Sequence, residues 1–193
     1  NEEIYKAEMM VKSIKKENAL KKGVPFDPKA VKGVSTERDE YLAYISPDDK
    51  QCFFVRRLPL VNLNRAAASD REKEVFMIAS RDKTGMFDKG TPLPEPFNQN
   101  DDSQGGCSIS IDNKHLYYTI CKDEGGAQKN CDIYYSDFVD DQWMDVKKVE
   151  GVNDPIYWDS QPCIAADGKT LYFASDRRDS TGHGGVDIYK TVR

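Results

Sequence analysis

Three stretches of this chain can be laid over one another, and that repetition limits the fold more than any other feature. Similarity at a recurring period marks stacked copies of one supersecondary unit. The lines run Ile45-Ser46-Pro47-Asp48-Asp49-Lys50-Gln51-Cys52-Phe53-Phe54, Ile109-Ser110-Ile111-Asp112-Asn113-Lys114-His115-Leu116-Tyr117-Tyr118 and Ile164-Ala165-Ala166-Asp167-Gly168-Lys169-Thr170-Leu171-Tyr172-Phe173. Each reads strand, tight turn, strand, with Asp-Asn and Asp-Gly supplying the positive backbone angles of a two-residue hairpin turn. A third strand follows: Val75–Ser80, then Cys131–Ser136, then Val186–Thr191. Phe87 lies as far after Ser80 as Trp143 lies after Ser136, marking the start of a fourth strand, and Pro94, Pro96 and Pro155 sit in the connections. The reference aspartate moves from Asp48 to Asp112 to Asp167, spacings of about 64 and about 55 residues. The longer first unit carries its insertion at Leu58–Glu74.

The second strands, such as Leu116-Tyr117-Tyr118 and Leu171-Tyr172-Phe173, are apolar on consecutive residues, so both faces of each sheet need covering. Small antiparallel sheets covered on both faces by copies of themselves predict an all-β fold, a β-propeller of four-stranded antiparallel blades. A β-sandwich is the structural alternative. About three blades are visible, at 24–100, 101–158 and 159–193, and the ring is expected to be incomplete. Residues 1–23 form one N-terminal α-helix: Ile4, Ala7, Val11 and Ile14 recur near helical spacing, Glu2-Glu3 open it, and Lys21-Lys22, Gly23 and Pro25 close it. The helix either packs on the β domain or ends an upstream helical-repeat domain, the second reading being preferred.

With 28 basic and 33 acidic residues, no basic stripe is left to neutralise a run of phosphates, which argues against nucleic acid as a partner. No stretch is long or apolar enough to span a bilayer. The chain begins at Asn1 without a signal-peptide pattern and reads as a processed or trimmed piece. Of its five cysteines none makes a Cys-x-x-Cys pair or lies at zinc-ligand spacing from a histidine. Cys121 and Cys131 flank a polar, glycine-containing loop and would face each other in a hairpin. A disulfide there would stabilise by roughly 2–3 kcal/mol and would place the protein in an oxidising compartment. The alternative is two free thiols in a cytosolic protein.

Asp167-Gly168-Lys169-Thr170-Leu171-Tyr172-Phe173-Ala174-Ser175-Asp176-Arg177 and Gly184-Gly185-Val186-Asp187-Ile188-Tyr189 resemble the TolB-type, or WD-like, propeller repeat, and the resemblance spans about residues 24–193. A narrower resemblance is to Bacteroidota envelope proteins that join tetratricopeptide repeats, such a propeller and a C-terminal OmpA-like domain. It is carried by the terminal helix, Pro25-Phe26-Asp27-Pro28, Gly33-Val34-Ser35-Thr36, and Trp143 with Gly151-Val152-Asn153. Some members belong to the type IX secretion and gliding machinery. The resemblance implies a non-catalytic protein-binding scaffold, periplasmic and associated with the outer membrane, whose partners are other envelope proteins. Peptidoglycan would be bound only through a domain this chain lacks, and no cofactor is implied. The alternative is a propeller gating domain of a prolyl oligopeptidase-like serine peptidase.

No residue is singled out as catalytic, cofactor-binding or metal-binding. His115 reads as an exposed strand residue, and His183 as part of a glycine-rich hairpin loop without a nucleophile elbow. Gly105-Gly106-Cys107-Ser108 lacks a general base nearby and reads as close backbone packing. Acidic residues gather at the starts of the units as Asp39-Glu40, Asp101-Asp102 and Asp159, without the spacing of a calcium loop. With neighbouring aromatics and amides they define an expected partner-binding rim of Asp102, Gln104, Tyr157, Trp158, Asp159 and Gln161.

Overall fold

The computed structural model describes residues 2–21, 27–59, 72–99, 102–122 and 130–193. Most of the expected Leu58–Glu74 insertion lies outside the described residues, as do the loop between the cysteines, Asp101, and the helix-stop residues Lys22, Gly23 and Pro25. The chain divides into two units, Asn1–Ala30 and Val31–Arg193. The first holds the helix α1, Glu2–Lys21.

The second unit is built of three antiparallel sheets. The first joins β1 (Glu40–Ile45), β2 (Gln51–Pro59), β3 (Glu72–Ser80) and the short β4 (Thr91–Pro92) in that order. The second joins β5 (Ser103–Ile109), β6 (His115–Lys122), β7 (Asn130–Val139) and β8 (Gln142–Trp143), with β9 (Lys147–Lys148) also on β7. The third has only β10 (Asp159–Ile164), β11 (Thr170–Ser175) and β12 (Asp187–Val192).

Turn chemistry makes the repeat, but the turn is longer than a two-residue hairpin. Ser46 N–H donates to Gln51 C=O at 2.9 Å and Asp49 N–H to Ser46 C=O at 2.8 Å, enclosing four residues. Ser110, Asn113 and His115 repeat these bonds, as do Ala165, Gly168 and Thr170. One residue per turn, not two, is left-handed: Asp49 (φ 60°), Asn113 (φ 60°) and Gly168 (φ 67°). In the first two units a serine hydroxyl locks the loop: Ser46 Oγ donates to Asp48 and accepts the Gln51 N–H, and Ser110 does the same with Asp112 and His115. With Ala165 in that place, the third turn relies on Asp167, which accepts from the N–H groups of Lys169 and Thr170 and the Thr170 hydroxyl.

Pairing also corrects the expected third-strand alignment. Phe53 lies opposite Ile78, Tyr117 opposite Tyr135 and Tyr172 opposite Lys190. Val75 therefore matches Asp132 and Asp187, one residue later than the sequence overlay places it. A bulge interrupts each first strand at the same point, at Leu42 (φ 53°), Gly106 (φ 59°) and Gln161 (φ 55°).

The sheets stack face to face. Phe53 and Phe76 of the first sheet pack with Leu93 and Phe97 against Ile109, Leu116 and Tyr118 of the second. Phe53, Phe76, Leu116 and Tyr118 are fully buried, and the first three each contribute about 1.5–3 kcal/mol of transfer free energy. Tyr117 and Ile133, on the other face of the second sheet, meet Ile164, Leu171 and Phe173 of the third. Close approach needs the glycines: a Cβ on Gly105 would lie 2.1 Å from Val55 Cγ2.

The fold is therefore all-β with one helix, but it is not a propeller. Its three sheets are separate and do not close on themselves. The outer face of the first sheet is capped by Val34 and Phe87 from its own connections, which bury Phe54 and Met77. The outer face of the third sheet is open, with Tyr172 41 % and Ile188 81 % exposed. Its second strand alternates buried and exposed residues instead of being buried on both faces. Among the described residues that sheet has three strands where a four-stranded blade was expected. Strand and turn signals act within one unit, whereas closure depends on how many units stack and at what angle, which no local motif encodes.

Candidate functional site: the open edge of the third sheet

In the first sheet, Leu93 N–H donates to Phe76 C=O at 2.9 Å, and Asn98 brackets the same residue, accepting from Phe76 N–H at 2.9 Å and donating to Phe76 C=O at 2.9 Å and Leu93 C=O at 3.2 Å. The second sheet repeats the device. Val149 N–H donates to Ile133 C=O, while Asn153 accepts from Ile133 N–H at 2.6 Å and donates to Ile133 C=O at 2.8 Å and Val149 C=O at 3.1 Å. Fourth-strand contacts begin at equivalent carbonyls, Asp88 N–H on Ser80 and Met144 N–H on Asp137.

By strand pairing, Ile188 is the third-sheet counterpart of Phe76 and Ile133, since they face Ala174, Val55 and Thr119. Among the described residues no fourth strand pairs with β12 and no asparagine brackets Ile188. Ile188, Lys190 and Val192 consequently turn backbone N–H and C=O groups outward, and Val186, Ile188 and Val192 expose large apolar side chains.

A cleft of about 680 Å³ between the second and third sheets adjoins the end of this edge. Tyr117, Tyr135, Ile164 and Leu171 line it together with Thr191 and Val192, and Lys147, Lys148, Lys169 and Arg193 outnumber Glu150 among its exposed charges. Lys148 reaches the buried Asp132 at 2.8 Å.

The residues expected to form a partner rim fall at the starts of β5 and β10. Asp102 is half-buried. Gln104 is buried and its Oε1 accepts the Asn98 N–H at 3.2 Å. Tyr157 and Trp158 are half-buried, and Trp158 N–H donates to Asp176 at 2.8 Å. Asp159 is fully buried, accepting from Arg177 at 2.5 Å and from Asp154 N–H at 2.7 Å. Gln161 is exposed at its bulge, its N–H donating to Thr119 Oγ1 at 3.1 Å. Glu40 is likewise an interior partner, bonded to Arg56 at 2.8 Å. Burial pushes its carboxyl up, but hydrogen bonds from Thr36 and Arg56 outweigh that and hold it below the ordinary range.

Among the other candidates, His115 Nδ1 lies 2.7 Å from Asp137 Oδ1, and His183 sits exposed in the loop before β12 with its N–H on Asp187. Ser108 is buried and accepts the Ile164 N–H. Cys121 and Cys131 face each other directly in the β6–β7 ladder and form a disulfide, with Cα atoms 4.0 Å apart. The described residues contain no helix long and apolar enough to cross a membrane and no cluster of metal-ligating side chains. The asparagine clamps escaped the sequence reading; the recurrence of Asn98 and Asn153 shortly before the next unit was the available signal.

Compared with known proteins, the chain matches no protein-family model and no curated sequence. Together with the open stack, this overturns the resemblance to TolB-type or WD-like propellers and to OmpA-family, tetratricopeptide-containing proteins of type IX secretion. The outer-membrane scaffold and the peptidase gating domain both rested on that resemblance and fall with it. Asp-Gly-Lys turns and aromatic strands recur wherever short antiparallel hairpins are stacked, so they identify the unit and not the family.

Proposed function

We propose that this protein is a binding module whose cleft between the second and third sheets takes an acidic ligand with an apolar body. One observation carries the reading: a floor of Tyr117, Tyr135, Ile164 and Leu171 lies beside exposed Lys147, Lys148, Lys169 and Arg193, which outnumber Glu150. Apolar contact would supply affinity and the basic rim would select for negative charge. The role is binding, not catalysis. The Cys121–Cys131 bond supports an oxidising compartment such as the periplasm or the extracellular space.

The test is an NMR titration of the isotope-labelled protein with an alternating glutamate–leucine decapeptide. Amide shifts should centre on Tyr117, Tyr135, Val149 and Leu171. Lys147→Glu together with Lys169→Glu, which reverses charge at the exposed rim, should abolish them. Shifts centred elsewhere, or none at millimolar peptide, would refute binding in the cleft.

A further inference from the structure

We infer that the cleft seats an acidic peptide, whose chain crosses the bare turn at Gly168, sets one bulky apolar side chain between the two sheets and places carboxylates beside Lys147 and Lys169. This inference rests on the cleft-binding reading and specifies the ligand's class.

Two positions set this cleft apart from the packed interface of the first and second sheets. At one, Lys147 of β9 pairs with Tyr135 of β7, and its ammonium lies 5.9 Å from the centre of the Tyr135 ring, which stacks in turn on Tyr117 at 6.0 Å. By strand pairing the first sheet has Ile78 and Thr91 in these places, so it offers no cation there. The other is Gly168. It takes the left-handed place in its turn that Asp49 and Asn113 fill in the other two units, it lines the cleft, and a Cβ on it would meet no atom within 4 Å. A turn without a side chain leaves room for the main chain of a ligand to approach.

The charges favour a peptide over other acidic ligands. Lys147 belongs to β9, Lys169 to the turn before β11, and Arg193 follows β12, so exposed cations reach the cleft from three elements, while Lys148 is held by Asp132 at 2.8 Å. A fatty acid carries a single carboxylate and would leave most of these cations unmatched, whereas a peptide carries one on each acidic residue. The walls include Val149, Ile164 and Leu171, against which an acidic sugar would bury hydroxyls without partners and a leucine side chain would not.

The probe is a fluorescein-labelled heptapeptide, Gly-Glu-Glu-Leu-Glu-Glu-Gly, added to the intact, disulfide-bonded protein and followed by anisotropy and NMR. It should shift the amides of Gly168, Leu171 and Tyr135. Alanine in place of its leucine should weaken binding about tenfold or more, the loss expected of a buried anchor. Glutamine in place of its glutamates should weaken it several-fold, with the difference shrinking at high salt. In the protein, Gly168→Asp should weaken binding about tenfold and Gly168→Asn by less, since only bulk opposes the peptide there. Both variants should keep the fold, because Asp49 and Asn113 stand at φ 60° in the equivalent turns. Unchanged affinity in Gly168→Asp, with the glutamate–leucine decapeptide still shifting the cleft, would overturn the inference and leave cleft binding standing. So would dodecanoate shifting the same amides while the heptapeptide shifts none. Absence of cleft shifts with every probe would remove both.

Discussion

Asp159 and Arg177 form an ion pair sealed between the start of β10 and the residues after β11: Arg177 Nη2 donates to Asp159 Oδ1 at 2.5 Å, and the carboxylate has no exposed surface. The same Nη2 donates to Val152 C=O at 2.7 Å, and the guanidinium lies over the rings of Phe173 and Tyr189. A residue read as part of an interaction rim thus anchors the third sheet to the connection that precedes it. Asp159→Asn should lower the unfolding free energy by about 3 kcal/mol, because it strands a mostly buried guanidinium. Equilibrium urea denaturation checks this; an unchanged midpoint would show that the pair contributes little.

Replacing both Cys121 and Cys131 by serine should cost about 3 kcal/mol, the loop-closure value for a separation of 10 residues. The loss should appear in the denaturation midpoint and as faster amide exchange at the Ile120 and Asp132 end of the β6–β7 hairpin. Non-reducing peptide mapping of native material should recover the cross-link.

The backbone N–H groups of Thr170 and Lys169 and the Thr170 hydroxyl hold the Asp167 carboxyl down to about 2. Its folded value lies below its unfolded one, so the stabilisation is complete above the ordinary value of 3.8 and is lost as pH falls toward about 2. Carboxyl NMR titration should place its midpoint near that lower value. An Asp167→Asn variant should lose less stability than the native protein over the same acidic range. Asp48 and Asp112 should also titrate below the ordinary range, held first by the hydroxyls of Ser46 and Ser110.

Gln161 adopts φ 55° at a bulge whose counterpart in the second sheet is Gly106. Gln161→Gly should stabilise by up to about 1 kcal/mol, since glycine adopts this backbone without the strain a side chain carries. Thermal denaturation checks the sign; a lower melting temperature would mean that contacts of the Gln161 side chain outweigh the strain.

Much of the fold was legible locally. The helix, the three hairpins and the facing pair Cys121 and Cys131 follow from helical spacing, Asp-led turns and runs of aromatic residues, all short-range signals. Where local signals were ambiguous the reading slipped. The first unit's third strand was displaced by one residue because Val75, Cys131 and Val186 look alike, while the true partners are set by cross-strand pairing. Gln104 and Asp159 looked like exposed polar groups because nothing nearby in sequence announces Asn98 or Arg177 as their partners.

The sequence alone determined that this chain makes repeated strand-turn-strand units, since each turn and each apolar run is specified by residues within a few positions of one another. Only the tertiary structure decided that the three sheets do not close on themselves, and that β11 alternates buried and exposed residues where burial on both faces was expected. Those outcomes depend on long-range packing, the seating of Leu116 and Tyr118 against Phe53 and Phe76 and the capping of the first sheet by Val34 and Phe87, where no short motif dictates the partner.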